Sequence, residues 1–393
     1  MKYLFRRDTL FATAAVFLVI YILLYNPLNE YIFNPLKISF DDFALTDLAF
    51  SQGHLKTTVD ERILIINIDT AGRKTIAKLL DRLEDYHPKS VGLDILLPQR
   101  EADGNEEIKR VLQKFKNIIL SQFVEYNDST KNYSLSENQF TNNNVHSGFV
   151  NFIGVKGDVV RYFPDYLEDK TNRYESFTSE IIKISDTVAY QNLKKRNKKV
   201  EWINYQRLDS EYYNANFNDV LNDKIDTSFV RDKIILIGYI SHNINNIVDK
   251  HFTPLNNKIL GRSIPDMNGV IIHANILSMI LDGTYITRVP VWLTILIAVF
   301  ITWLHMAFLI RYYIHTHLWF HLAVKTAELL ISVLLFYISV LLLRYKNVNL
   351  DFTLTLIAIV IGVDVLYFYD ALIAWLTKKF SVKSVFDQMR NRS

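Results

Sequence analysis

The stretch ERILIINIDTAGRKTIAKLLDRLEDYHPKSVGLDILLP, residues Glu61–Pro98, contains three predicted elements in succession. Glu61–Asp69 is a nearly continuous apolar run rich in isoleucine, which is typical of a strand buried on both faces of a sheet. The next segment places apolar residues at helical spacing until His87-Pro88 ends it, and Lys89–Pro98 is a second strand-like run. A strand, a helix and a strand in so short a stretch predict a βαβ unit whose two strands are parallel.

The segments that follow extend this pattern. Ile118–Val124 and Asp232–Ile240 are further apolar strands, and helices are predicted at NEEIKRVLQKFKN, over about Ser176–Asn192 and at GVIIHANILSMILDG. HSGFVNFIG and GDVVRYFP, separated by Gly154–Gly157, favour an antiparallel hairpin. Phe40–Phe50 is a further helical stretch that is expected to pack on the domain. The alternation predicts an α/β domain with a mainly parallel sheet.

Four other segments are apolar over about 20 residues, the length at which a helix crosses a bilayer. They are Leu10–Tyr25, Pro290–Ile310, roughly Trp319–Leu343, and Leu350–Leu376. The first resembles the apolar part of a signal peptide, but no small-residue cleavage site follows it, so we interpret it as a retained anchor. The sequence therefore predicts four transmembrane α-helices, one N-terminal and three C-terminal.

Basic residues flank both ends of this set of helices. Lys2, Arg6 and Arg7 precede the first, and Lys378 and Lys379 follow the last. The positive-inside rule then places both termini in the cytoplasm, in agreement with an even number of crossings. We therefore expect a multi-pass protein of the bacterial inner membrane, with residues 1–25 as the cytoplasmic N-terminus and first helix, 26–288 as a periplasmic domain, 289–377 as three helices and 378–393 as a short cytoplasmic tail.

Charge and cysteine content exclude several classes of function. The formal net charge is +3 and no basic stripe stands out, so nucleic-acid binding is not expected. The chain has no cysteine, which excludes a disulfide framework and a thiolate metal site. It also contains no HExxH, GxSxG, GxGxxG or Walker motif. We therefore expect no enzymatic activity, no cofactor and no resident metal.

Two aspartates lie where ligands bind in open parallel sheets. Asp69 comes directly after the first predicted strand, and Asp94 lies inside the second. Ligands of such sheets bind at the carboxyl ends of the strands, where paired carboxylates can transfer protons or hold a cation. The structural alternative is that Asp69 caps the following helix and that Asp94 hydrogen-bonds to a neighbouring loop.

Four further residues are candidates for ligand binding. Arg161, in GDVVRYFP, can clamp an anionic ligand or pair with a carboxylate. Asp249 and Thr253, in DKHFTPL, follow a predicted strand in a loop, a placement that favours function. His273, in VIIHAN, lies beside apolar positions on a helix, where a packed and hydrogen-bonded histidine is the alternative to a ligand-binding one.

Ionisable residues within membrane segments are costly, so they are candidates for function. Five of them form a predicted intramembrane polar cluster: His305, Lys325, Glu328, Asp364 and Asp370. Helix rise places several of them at a similar depth on the cytoplasmic side. One interpretation is a cluster that fixes helix register or transmits a rotation. A second interpretation is that Lys325 extends to the headgroups while the neighbouring carboxylates lie in hydrated crevices. A third is that these residues conduct ions or protons.

Six fragments in order resemble the CHASE domain of the second type, an extracellular sensory module found attached to cyclases and histidine kinases. They are NIDTAG, HPKSVGLDILLP, SGFVNFIGVKGDVVRYFP, DKIILIGYIS, DKHFTPL and IPDMNGVIIHANILSMILDG. The resemblance covers roughly residues 40–285 and continues through the three following apolar segments. Family members typically continue into a cytoplasmic kinase or cyclase domain, whereas this sequence ends in a tail of residues 378–393.

We therefore expect a membrane protein whose periplasmic domain senses a ligand or partner and signals through an unknown output protein or membrane complex. The alternative is a structural or docking subunit of an envelope-spanning complex. The lipid bilayer is an expected partner in either case, and homo-oligomerisation remains open.

Overall fold

The computed structural model describes residues 3–24, 50, 55–98, 102–136, 140, 145–152, 159–243, 245–256, 264–315 and 320–387. The chain divides into two compact units. Asp42–Ile286 forms the α/β unit, and Met1–Asp41 together with Thr287–Ser393 forms the helical unit. The predicted helix at Phe40–Phe50 and the predicted turn at residues 154–157 fall outside the described residues, except for Phe50.

The helices in chain order are α1 (Arg7–Leu24), α2 (Arg73–Asp85), α3 (Asn105–Lys114), α4 (Phe177–Ser185), α5 (Thr187–Lys195), α6 (Phe217–Leu221), α7 (Gly269–Asp282), α8 (Val291–His315), α9 (Phe320–Lys346) and α10 (Thr353–Phe380). The strands are β1 (Asp60–Asn67), β2 (Ser90–Leu93), β3 (Ile118–Gln122), β4 (Val124–Asn127), β5 (Asn132–Leu135), β6 (His146–Phe149), β7 (Tyr162–Pro164), β8 (Tyr166–Glu168), β9 (Arg173–Glu175), β10 (Val200–Trp202), β11 (Tyr212–Asn216), β12 (Ile234–Gly238), β13 (Lys250–His251), β14 (Met267–Asn268), β15 (Thr287–Arg288) and β16 (Val348–Asn349).

Six strands form one sheet in the order β11-β1-β12-β2-β3-β6, and every neighbouring pair is parallel. The mainly parallel sheet predicted from the sequence is therefore confirmed. Its isoleucine-rich strand β1 lies between β11 and β12, with Ile65 opposite Leu236. Because helices cover both faces, Ile63, Ile65 and Ile66 are all fully buried. This explains why the run is apolar rather than alternating.

The two faces of the sheet carry different helices. Side chains such as Leu64, Val91 and Ile235 point toward α2 and α3 and form one core with them. The opposite face is covered by α4 and α7. A Cβ on Gly92 of β2 would lie 2.6 Å from Ile181 Cδ1 of α4, so only glycine lets α4 approach this closely. The second face is where the amino-terminal ends of α4 and α7 meet the sheet.

Three sequence predictions are corrected by the structure. The predicted antiparallel hairpin is wrong, because β6 pairs in parallel with β3 and extends the buried sheet, while β7 pairs with β10. The helix predicted over Ser176–Asn192 is two helices, since Asp186 turns the chain and its carboxylate caps α5 through the N–H of Ala189, at 2.9 Å. The second strand ends at Leu93, so Asp94 follows β2 instead of lying within it.

The helical unit contains three helices that are long and apolar enough to cross a membrane, among the residues described: Val291–Ile314, Phe320–Lys346 and Thr353–Phe380. The three predicted C-terminal segments are therefore confirmed as membrane-capable. The shorter α1 packs with α8 and α10. Its Ala12, Val16 and Ile20 are buried in one apolar cluster with Met306 and Leu366.

The residues after α10 fold back onto the start of α1. The Asp8 carboxylate, 7% exposed, accepts hydrogen bonds from Ser384 Oγ at 2.8 Å and from the Val385 N–H at 3.0 Å. The hydroxyl of Tyr369 donates to the same carboxylate at 3.2 Å, and Phe386 is fully buried nearby. The described part of the tail is thus packed against the bundle, which its charged sequence did not indicate.

Candidate functional site

Two of the predicted acids approach each other at the carboxyl edge of the parallel sheet. Asp94 follows β2 directly, and its N–H donates to the carbonyl of Ile237 in β12 at 2.8 Å. Asp249 ends the loop after β12 and adopts a left-handed backbone with φ 54°. We name these two residues the acid pair. Their position agrees with the general location of ligand sites in open parallel sheets.

Asp249 lies against the first turn of α7. The N–H of Gly269, the first residue of that helix, donates to the main-chain carbonyl of Asp249 at 3.0 Å. A Cβ on Gly269 would come within 3.2 Å of Asp249 Oδ1, so the carboxylate sits over the helix end. An anion is favoured there by the positive end of the helix dipole. The Asp249 side chain nevertheless remains 42% exposed.

The pKa values of both acids are raised. Burial raises the pKa of Asp94 to about 8, and the negative charge of Asp249 adds to the rise. Burial also raises the pKa of Asp249, to about 6. A hydrogen bond from the Gly269 backbone acts in the opposite direction but is the smaller effect. Among the described residues, none donates a hydrogen bond to the Asp94 carboxyl group. Near neutral pH, therefore, Asp94 is protonated while Asp249 is ionised.

One histidine borders the acid pair and a second lies near the first, and neither supplies positive charge. His251 Nε2 lies 3.9 Å from Asp249 Oδ1, and burial lowers the pKa of His251. Burial, helped by the nearby His251, lowers the pKa of His273 to about 3. His273 is 4% exposed, and its Nδ1 has no hydrogen-bond partner among the described residues. Both imidazoles are neutral near pH 7, so neither balances the acids.

Aromatic rings form the wall between the two histidines. The ring of Phe152 lies 5.1 Å from that of His251 and 4.8 Å from that of His273. Phe177, which begins α4, lies 5.2 Å from the ring of His273. The site therefore has a carboxyl side and an aromatic side. Phe177 is fully buried, whereas Phe152 is partly exposed. Such a surface suits a cationic group, which the acids attract and the ring of Phe152 stabilises.

The remaining predicted ligand residues have other roles. Asp69 is exposed, in a left-handed conformation with φ 47°, and does not cap α2, whose N-cap is Gly72 without a side-chain hydrogen bond. Thr253 is 1% exposed; its hydroxyl and N–H both donate to the Asp266 carboxylate, which fixes the loop. Arg161 is 8% exposed and lies near the buried Tyr205.

The acid pair does not belong to a metal site within the described part of the chain, where no group of three or more His, Cys, Asp or Glu side chains could hold an ion. Two carboxylates and two imidazoles are suitable ligand types, but their arrangement does not converge. Asp69 and Asp94 were predicted to be able to hold a cation. Within the described residues they do not form a metal centre either.

The carboxyl end of α7 has the opposite electrostatics. Asp60, at the start of β1, accepts from Arg62 at 2.7 Å and from Ser278 Oγ at 2.8 Å. Asp282, the last residue of α7, accepts from Arg62 and from Lys56, each at 2.7 Å. Burial alone would raise the pKa of Asp60, but the hydrogen bonds from Arg62 and Ser278 lower it to about 2. These residues form the paired network.

The predicted intramembrane cluster stays a prediction, and the structure gives the contacts of its members. Lys325 Nζ lies 2.9 Å from Glu328 Oε2, and its charge acts on the exposed Asp364. Asp370 accepts from the hydroxyl of Tyr313 at 3.0 Å, and the ring of Tyr313 lies 5.7 Å from that of Tyr367. His305 is 3% exposed, and neither ring nitrogen has a hydrogen-bond partner among the described residues.

Sequence reasoning missed three residues of interest: His251, Phe152 and Asp8. His251 could have been found, because it lies two residues after Asp249 in the same DKHFTPL segment that was already singled out. Phe152 and Asp8 carried no local signal, since their partners are distant in the sequence.

The comparisons with known proteins bear on the whole arrangement. No curated protein and no solved structure matches this chain. A family sequence model described as the CHASE2 domain matches residues 15–310, which cover the α/β unit and extend into α8. The resemblance seen in the sequence fragments is therefore confirmed. With three membrane-capable helices at its carboxyl end, the chain is a membrane protein with a sensory-type domain outside, and it belongs to the CHASE2 domain family.

Proposed function

We propose that the chain is a non-enzymatic membrane sensory protein whose ligand binds at the acid pair. The proposal rests on the position of Asp94 and Asp249 together at the carboxyl edge of the sheet, with no cation among the described residues to balance them. Burial raises the pKa of both acids. Perturbed groups of this kind concentrate at functional sites. A ligand with an ammonium or similar cationic group supplies the missing charge and displaces the proton from Asp94.

The covalent path from the site supports a signalling role. The acid pair lies at the first residue of α7, and the last residue of α7, Asp282, belongs to the paired network. A helix of this length spans about 21 Å. Residues 283–290 then lead directly into α8, the first of the three membrane helices. This short connection is the route by which a ligand-induced shift of α7 would reach the helix that enters the membrane.

We further propose that α1 spans the membrane and that both termini lie in the cytoplasm of a bacterial inner membrane. The basic residues at both ends of the sequence support this topology. The output passes to a partner protein at that side. Reporter fusions at Ser129, in the exposed turn between β4 and β5, and at Ser393 test it. Cytoplasmic reporter activity at Ser129 contradicts the topology.

Ligand binding can be tested on the full chain in nanodiscs. Thermal unfolding is followed with choline, ethanolamine and putrescine as cationic probes and with acetate and glycerol as controls. A ligand at 100 times its Kd stabilises the folded state by about 2.7 kcal/mol. We expect a cationic probe to raise the unfolding temperature, more so as the pH rises toward 8, and Asp249→Asn to abolish the effect. Asp223→Asn is the matched control, because Asp223 already pairs with Arg82.

The same screen distinguishes the two functions under consideration, a sensor and a docking subunit. Binding of a cationic probe that requires Asp94 and Asp249 supports the sensor. If no probe of any charge binds, and the purified chain instead forms a stoichiometric complex with another envelope protein, the docking function replaces it.

A further inference from the structure

A pocket lies where two of the membrane-capable helices begin. It is formed by the first turns of α8 and α10 together with the short strands β15 and β16 that precede them, and these strands pair in parallel with Arg288 opposite Asn349. The pocket holds about 520 Å³ of space, including its opening to solvent, which is within the size range of ligand pockets. We name it the α8–α10 pocket. All of its residues belong to the helical unit.

The pocket lies at the level where lipid headgroups meet the hydrocarbon layer. A membrane helix ends near this boundary, and α8 and α10 both start at the pocket. Trp292, the second residue of α8, is 63% exposed, and tryptophan concentrates at the membrane interface. The pocket is on the side of the α/β unit, because Ile286 ends that unit and Arg288 follows two residues later. The lipids nearest to it are therefore those of the outer leaflet.

Apolar and charged residues line different parts of the pocket. The apolar ones, Val291, Ile295 and Leu354, belong to the helices, and Val291 and Ile295 are 73% and 44% exposed. The charged ones, Arg288 and Asp351, precede the helices and are exposed. Because the helices run into the membrane, the apolar part lies at the depth of acyl chains and the charged part at the depth of headgroups. This division suits an amphiphile that carries one positive and one negative group.

Asn349 supplies a buried acceptor to which no described residue donates. The residue is 6% exposed, and its side-chain Oδ1 has no hydrogen-bond partner among the described residues. An unsatisfied buried acceptor is costly, so a donor from outside the chain is expected there. Two residues later, Asp351 Oδ1 accepts from the N–H of Thr353 at 2.8 Å, and a carboxylate can accept further hydrogen bonds. A primary ammonium carries three N–H donors, enough for both groups.

We propose that the α8–α10 pocket binds one phospholipid whose headgroup carries a primary ammonium. The ammonium donates to Asp351 and Asn349, the guanidinium of Arg288 donates to the phosphate, and the acyl chains lie along Val291 and Ile295. Guanidinium and phosphate match in geometry, because two parallel hydrogen bonds can form between them. A trimethylammonium headgroup has no N–H and leaves both acceptors unsatisfied. A glycerol headgroup has no cation for the aspartate.

The lipid would act on the connection between α7 and the membrane. Arg288 belongs to residues 283–290, which join α7 to α8. The N–H of Val289 donates to the carbonyl of Asn349 at 3.1 Å, which ties this connection to the segment before α10. A lipid bound by both Arg288 and Asp351 adds a second tie. This consequence rests on the proposed sensory function, whereas the lipid binding itself does not.

Native mass spectrometry of the full chain in detergent counts the lipids that it retains and gives their apparent Kd. The probes are phosphatidylethanolamine, phosphatidylcholine and phosphatidylglycerol with the same acyl chains. We expect one phosphatidylethanolamine to bind roughly tenfold tighter than the other two lipids, the effect of one charge-assisted hydrogen bond. Asp351→Asn and Arg288→Gln should each remove this preference, and Asp351→Asn keeps an oxygen that can cap α10. The control is Arg344→Gln, which removes a charge at the end of α9, outside the pocket, and should bind as the wild type does.

Equal affinity for the three lipids overturns the proposal, and so does a preference for either of the other two. A preference for phosphatidylethanolamine that survives both pocket variants, or that Arg344→Gln removes as well, overturns it too, because the pocket is then not the site. Water-soluble phosphoethanolamine distinguishes a lipid from a free headgroup. We expect it not to displace the bound lipid at equal concentration, and displacement contradicts a lipid site. None of these outcomes depends on ligand binding at the acid pair.

Discussion

The two ends of helix α7 contain the same kind of group in opposite circumstances. At its carboxyl end, Asp60 and Asp282 are each bound by cationic side chains, and the pKa of Asp60 is about 2. At its amino end, Asp94 and Asp249 have no cation among the described residues, and the pKa of Asp94 is about 8. Burial raises the pKa at both ends, so the difference comes from the partners.

This contrast distinguishes acids that stabilise the fold from acids that are available to bind a ligand. An acid that is already hydrogen-bonded to arginine and serine contributes to folding and has little capacity left for a ligand. An acid that is buried without a partner costs stability unless it takes up a proton. Acids without a cationic partner are found at only one end of α7, and we therefore assign ligand binding to that end.

The largest expected effect is at the paired end. Arg62→Leu removes the closer of the two arginines that bridge Asp60 and Asp282, the other being Arg207, and leaves Asp60 buried with fewer donors. We expect the α/β unit to lose about 3 kcal/mol of stability. Hydrogen exchange of the β1 and β12 amides in the full chain measures this. The control is Arg82→Leu, which removes an ion pair with the exposed Asp223 and should leave the exchange of these amides unchanged. Equal effects of the two variants would show that the Arg62 pair does not stabilise the unit more than an exposed pair does.

The next effect concerns the packing beneath the acid pair. A Cβ at Gly92 lies 2.6 Å from Ile181 Cδ1 and 2.8 Å from Phe177 Cζ, so Gly92→Ala forces α4 to move. We expect a loss of about 2 kcal/mol. The control is Gly72→Ala, where no atom lies within 4 Å of the new Cβ. A Gly92→Ala variant as stable as Gly72→Ala would show that α4 is not held against β2.

The smallest effect is a pH dependence at the unpaired end. The pKa of Asp94 is raised on folding, so its proton stabilises the folded state at low pH, and that contribution is lost as the pH rises through about 8. Between pH 7 and 8.5 the wild type should lose about 1 kcal/mol. Asp249, whose pKa is about 6, is already ionised over this pH range and therefore contributes little to the change. Asp94→Asn should remove the dependence, again by hydrogen exchange; a wild type with no loss over this range would contradict the raised pKa.

The sequence predicted the parts of this molecule that depend on local pattern. The Ile-rich run at Glu61–Asp69 indicated a doubly buried strand, and the apolar segments indicated the membrane helices. It placed Asp249 in a loop after a strand, where it is found, but it placed Asp94 inside the second strand, which ends one residue earlier at Leu93. Hydrophobic periodicity and turn residues carry this information in a short window.

The remaining features depend on contacts between distant residues. Strand β6 was assigned to a hairpin because its neighbour in sequence is also strand-like, whereas its hydrogen bonds go to β3. The tail after α10 packs on Asp8, at the other end of the chain. Which acids are paired is also a long-range property, since Lys56 and Asp282 are far apart in sequence. No local pattern distinguishes Asp282 from Asp249.

The most direct measurement of the central claim is the protonation state of Asp94 in the full chain. Infrared difference spectra between pH 6.5 and 9 report the carbonyl band of a protonated carboxyl group. We expect a band that disappears as the pH rises through about 8 and is missing in Asp94→Asn, but persists in Asp69→Asn, where the altered acid is exposed. If the spectra of wild type and Asp94→Asn are the same over this range, Asp94 is ionised at neutral pH and the assignment of the site is contradicted.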